Sequence, residues 1–115
     1  MHAVPTRSAA FPAATLDADL ELERYATRLL QLRRWTDART ALHQLALRAP
    51  QNSRWRALLA YARGHEASEL GELARARSEW ERALLLDPTL DDARLALTSR
   101  RMRTTWIGRM LHRKG

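Results

Sequence analysis

Few side chains in this sequence could do chemistry, and none is set beside a partner. His43 has no histidine or carboxylate four residues away, so a packed or half-exposed helix residue is expected there rather than a metal ligand. His65 and Glu66 are adjacent and would point to different faces of a helix. That makes them a poor catalytic pair, though both suit a polar groove. Glu69, Glu72, Glu79 and Glu81 are interleaved with Arg75, Arg77 and Arg82, the pattern of a solvated helix face with weak ion pairs. The absence of cysteine excludes disulfides, thiol catalysis and cysteine-ligated metals. No phosphate loop, HExxH, GxSxG or EF-hand pattern occurs. The expectation is a protein that is not an enzyme, with no catalytic residue, metal site or cofactor.

The elements that must position these groups are helices. Ala, Leu, Arg and Glu dominate, while Val4 and Ile107 are the sole Val and Ile. The dominant residues lose little rotamer freedom in a helix, and β-branched residues favour strands. An all-α fold follows. Residues 1–14, with Pro5 and Pro12, read as a flexible N-terminal arm. Helical pattern begins near Thr15 or Asp17 and buries Leu22, Tyr25, Ala26, Leu29 and Leu30 at i, i+3, i+4 spacing. After a break at Arg33–Arg34 comes the stripe Trp35, Ala38, Ala41, Leu42, Leu45 and Ala49, stopped by Pro50. Asn52 or Ser53 caps a third helix with Trp55, Leu58, Leu59, Ala62 and later Leu70 inward. Gly71 supplies a turn. A fourth helix buries Leu73, Ala76, Trp80, Ala83 and Leu84 and stops at Asp87-Pro88. Thr89 caps a fifth, which has Asp91 and Asp92 in its first turn. Trp35, Trp55 and Trp80 sit at core spacing, as packing rather than as a stacking platform for bases.

Charge is uneven. Residues 1–98 hold 14 arginines against 13 acids, one net positive charge, and residues 99–115 hold six basic residues and no acid. In that tail Met102, Trp106 and Met110 follow i, i+4, i+8, flanked by Arg100, Arg101, Arg103, Arg109, Arg113 and Lys114. Such a basic amphipathic helix can cap the fold, dock into a partner groove, lie on an anionic membrane surface or bind nucleic acid. Gly108 weakens it. No stretch has the roughly 18 apolar residues of a membrane span, and no secretory signal is expected at the N-terminus. The acid-free N-terminus leaves a transit peptide open, but the default location is cytoplasmic.

An internal repeat links the helices. Ala38 maps to Ala76, Arg39 to Arg77, Leu42 to Trp80, Leu47 to Leu85 and Pro50 to Pro88, all at one constant offset. Small residues recur where helices approach, and larger apolar ones where space must be filled. Residues 57–90 resemble a tetratricopeptide repeat: Gly64 in the first helix, Gly71-Glu72-Leu73 at the turn, Ala76, Trp80 and Ala83 in the second helix, and Leu86-Asp87-Pro88 at the close. Arg63 and Ala67 depart from the motif, and a lengthened first helix would place Trp55 and Leu58 on its Trp and Leu positions. The first unit, roughly 19–52, matches at Ala26, Ala38 and Pro50 but lacks the turn glycine. Residues 89–103 look like a third first-helix or a cap.

The resemblance implies a short α-solenoid of antiparallel helix pairs over 15–100, about two repeats, with a C-terminal capping helix and the basic tail at 101–115. It also implies a concave face lined by Glu23, Thr27, Leu30, Tyr61, His65, Glu69, Leu95 and Ser99, receiving a partner peptide or helix. The Lys and Asn clamp that some members use for a C-terminal carboxylate is absent. The expected function is a noncatalytic adaptor or chaperone-like binder. Small bacterial members that chaperone secretion-apparatus subunits have about this length. A homodimer is a further option, because two helix pairs form a short solenoid. The alternative is a peripheral membrane-surface or nucleic-acid binder acting through Arg100–Lys114. That reading carries its own test: binding that weakens steeply with salt and disappears on deletion of residues 101–115.

Overall fold

The computed structural model describes residues 3–99, with side chains from Asp17 onward. Those residues form five helices and no strand: α1 Ala3–Gln31, α2 Trp35–Arg48, α3 Ser53–Glu69, α4 Leu73–Leu86 and α5 Asp91–Leu97. Each helix packs on its neighbour in the chain, and the short turns between them set neighbours antiparallel. The basic tail lies outside the described residues.

The offset that carries Ala38 onto Ala76 is a physical period. α2 and α4 each have 14 residues, and the same offset carries both ends of α2 onto those of α4. It also carries the start of α3 onto the start of α5. The turns repeat bond for bond. After α1, Arg33 N–H donates to the Leu30 carbonyl at 3.1 Å and Arg34 N–H to that of Leu29 at 2.9 Å. After α3, Gly71 N–H donates to Ser68 at 3.0 Å and Glu72 N–H to Ala67 at 2.8 Å. Both are Schellman closures, which require a left-handed residue at the turn. Gly71 takes φ 80° at no steric cost, and Arg33 takes φ 60° at about 1 kcal/mol.

Three helices share the first core. Ala26 and Leu29 of α1, Ala38, Ala41, Leu42 and Leu45 of α2, and Trp55, Leu58, Leu59 and Ala62 of α3 are all buried together. Farther along, Ala67 of α3, Ala76 and Trp80 of α4 and Ala96 of α5 pack together, as do Ala60, Ala83 and Ala93. The repeat keeps volume rather than identity. Ala26 and Leu42 are both buried in the first core. Their images are Gly64 and Trp80, and a Cβ on Gly64 would stand 2.3 Å from Trp80 Nε1. A smaller residue on one helix makes room for a larger one on the next.

Several expectations need correction. α1 begins at Ala3 and takes in residues 3–14, the stretch read as an arm. Asn52 caps α3 by accepting from Arg54 N–H at 3.0 Å, but its image in the preceding unit is Ala14, which offers no oxygen to end a helix. Ala9, Ala10, Ala13 and Ala14 are strong helix formers, and Pro5 falls where the backbone N–H is unpaired anyway. Leu47, Leu85, Leu70 and Tyr25 are exposed rather than space-filling. Leu47 lies two residues past buried Leu45, about 200° round the helix from it. Thr89 does not cap α5. It donates to Asp87 Oδ1 from its N–H at 3.0 Å and its hydroxyl at 2.6 Å, which closes the turn and holds the Asp87 carboxyl below its usual range.

Gly64→Ala is expected to lower unfolding free energy by about 1–3 kcal/mol, because the indole must leave its seat. Adding Trp80→Leu recreates the Ala26–Leu42 pair and is expected to recover part of that loss. Denaturant melts of the two single variants and the double variant measure the coupling; strictly additive losses would contradict the size exchange.

Candidate functional site

Tyr61 and His65 lie one turn apart on the same face of α3. Trp35 opens α2 and stacks on His65, with ring centroids 4.0 Å apart and planes within 8°. Tyr61 meets both rings edge-on, at 4.8 Å from His65 and 5.7 Å from Trp35. Trp80 of α4 closes the far side, 4.9 Å from His65, and donates its Nε1–H to the Tyr61 carbonyl at 3.2 Å. His65 is thus held between two tryptophans. Both indoles are buried, while Tyr61 and His65 remain half-exposed.

The flanks fix this cluster. Glu66, next to His65, accepts from Arg39 Nε at 2.6 Å and from the Thr36 hydroxyl at 2.8 Å. That pair of bonds joins α2 to α3 beside Trp35. Arg48 bonds Asp19 Oδ1 at 2.6 Å and joins the far end of α2 to α1. The Arg33 guanidinium lies 5.9 Å from the Trp35 ring centroid, within cation–π range.

Burial among rings, with a lesser contribution from the Arg33 charge, pushes His65 down from 6.5 to about 4. Its Nε2 is buried without a hydrogen-bond partner among the described residues, so an added proton would find no acceptor. The imidazole is neutral near pH 7. Burial and the Asp92 charge raise Tyr61, with Arg33 opposing them.

The expected groove residues separate into groups. Glu23, Tyr61 and Ser99 are spaced by the repeat offset, Glu23 and Tyr61 at one register position on α1 and α3 and Ser99 beyond the end of α5. Thr27 and His65 share another. Tyr61 and His65 come together in the ring cluster. Leu30 packs against the margin of the first core. Glu23 is half-buried, Thr27 and Glu69 are exposed on α1 and α3, Leu95 is exposed on α5, and Ser99 is half-buried beyond it. None of these five belongs to the ring cluster. The tail residues Arg100, Arg101, Arg103, Trp106, Arg109, Arg113 and Lys114 lie outside the described residues.

The sequence reading missed Arg33, and treated Trp35 and Trp80 as packing alone. The two indoles are packing, and they are also the walls that hold His65. The signal for Arg33 was the image of Gly71, where an arginine stands in place of the turn glycine. Glu79 is a further difference. It occupies the image of buried Ala41 and is half-buried rather than solvated, with Oε1 unpartnered among the described residues. The exposed pairs Arg75–Glu72 at 3.2 Å and Arg77–Glu81 at 3.6 Å do follow the expected solvated pattern. His43 is exposed. Among the described residues no three His, Asp or Glu side chains cluster as metal ligands, and no helix is long and apolar enough to cross a membrane.

No protein-family model, curated protein or solved structure matches the chain.

His65 makes stability depend on pH. The unfolded chain takes up a proton near 6.5, the folded one only near 4, so its contribution is intact above 6.5 and falls as pH drops towards 4. Relative to His65→Phe, which keeps a ring there, the wild-type protein is expected to lose unfolding free energy steadily across that window. Denaturant titrations at several pH values measure it, and a constant difference would contradict a buried neutral imidazole.

Proposed function

We propose that this chain is a noncatalytic interaction module, of the tetratricopeptide kind, that holds a peptide or helix of a partner protein. The observation that carries the reading is the ring cluster: Tyr61 and His65 are locked by two buried indoles yet half-exposed. Rigid aromatic side chains gain contact area at little cost in conformational entropy, and Trp, Tyr and Arg dominate binding energy at interfaces. Solenoids present such groups from successive first helices, and Glu23 and Tyr61 share one register position on α1 and α3. A neutral, caged imidazole without an organised nucleophile or acid–base partner suits recognition better than catalysis. An adaptor or chaperone-like role in the cytoplasm is the setting we favour.

The test uses the full chain immobilised and exposed to extract of its own cells, beside Tyr61→Ala and Leu85→Ala. Circular dichroism first establishes that both variants fold. The wild-type chain and Leu85→Ala, altered at an exposed site outside the ring cluster, are expected to retain the same discrete protein. Tyr61→Ala is expected to retain at least about tenfold less, as for a central aromatic contact. Equal retention by Tyr61→Ala would overturn the reading.

A further inference from the structure

Arg33 holds a backbone conformation that its repeat image gives to glycine. φ is 60° at Arg33 and 80° at Gly71, and the hydrogen bonds of the two turns are the same. Glycine would satisfy this turn without strain, so the backbone gives no reason for an arginine. Arg34 pairs with Asp37 at 2.9 Å and Arg39 with Glu66 at 2.6 Å. Arg33 has no ion pair among the described residues. Its planar cation rests over Trp35, which orients the guanidinium and leaves its N–H groups open.

Tyr61 is the second donor. Its ring touches Trp35 and His65, and its hydroxyl has no hydrogen-bond partner among the described residues. The Arg33 guanidinium lies 5.9 Å and the Tyr61 ring 5.7 Å from the Trp35 ring centroid, so both groups border the same indole. A single guanidinium without an ion pair among the described residues suits a monoanion.

We propose that Arg33 and the Tyr61 hydroxyl together receive one side-chain carboxylate, Asp or Glu, from the partner segment that covers the ring cluster. The inference rests on the partner-binding reading above and adds the chemistry that the partner must carry at that point. The guanidinium takes the carboxylate through two N–H groups, as planar forks do, and the phenol supplies a third hydrogen bond. The apolar stem of the acid lies over the Tyr61 ring.

The probes are N-acetyl-glutamate methylamide, its glutamine counterpart and inorganic phosphate, each titrated into the isotope-labelled full chain and followed by NMR. The glutamate probe is expected to shift the Arg33 side-chain and Trp35 indole signals saturably. The glutamine probe should bind at least about tenfold more weakly, the effect of losing a charged hydrogen-bond acceptor. Arg33→Gly, which removes the guanidinium and relaxes the turn, is expected to weaken the glutamate probe at least as much, and Tyr61→Phe several-fold. An equal response to glutamine, an unchanged response in Arg33→Gly, or no saturable response to glutamate would overturn the proposal. Tighter binding of phosphate would overturn it in favour of a phosphorylated partner. In the retention assay, loss with Tyr61→Ala but not with Arg33→Gly would leave the binding module standing and remove the carboxylate; loss with neither would remove both.

Discussion

The contact on which the rest depends is the seating of the Trp80 indole on the bare backbone of Gly64. α4 can approach α3 this closely because no Cβ stands between them. That approach brings the indole N–H within hydrogen-bonding reach of the Tyr61 carbonyl and sets the indole edge against His65. His65 is in turn pressed flat on Trp35 of α2. The ring cluster is therefore continuous with the core, and its geometry is inherited from a helix–helix distance. Aromatic pairs of this kind contribute about 0.5–1.5 kcal/mol each beyond their burial, so the cluster also helps to hold α2, α3 and α4 together.

The same architecture explains how two unlike sequences build equivalent units. Packing density must be kept at each interface, and an exchange of Ala26 with Leu42 for Gly64 with Trp80 keeps it. Backbone closure must also be kept, and the two turns keep it with an identical pair of hydrogen bonds. Where backbone and packing leave a choice, the units diverge. Arg33 stands for Gly71 and Glu79 for Ala41, and these substitutions carry polar chemistry onto a repeat that could be built without it.

Much of the fold was legible because helix signals and core signals coincide. The tryptophans at core spacing are buried, the offset between Ala38 and Ala76 is the structural period, and Asn52 caps where a short polar side chain was expected. The site was less legible. Stripe reasoning assigns residues to an inside or an outside, and Tyr61 and His65 are neither, because a ring can be walled in on its faces and open at its edge. Arg33 was hidden because the missing glycine read as a weaker match rather than as a side chain placed at a strained turn. Leu47 and Leu85 were misplaced because repetition alone does not say which face repeats; both project outward. At the N-terminus, proline was weighed above the run of alanines and the lack of a cap at Ala14.

The seating of Trp80 on Gly64 is open to one direct measurement, a two-dimensional NOE spectrum of the full chain in water. Cross-peaks from the Gly64 α-protons to the Trp80 indole ring are expected, with those α-protons shifted strongly upfield by the ring. The Trp80 indole N–H, bonded to the Tyr61 carbonyl, is expected to exchange slowly with solvent. Gly64 α-protons at ordinary shifts, with a rapidly exchanging Trp80 indole N–H, would contradict the contact and the ring cluster built upon it.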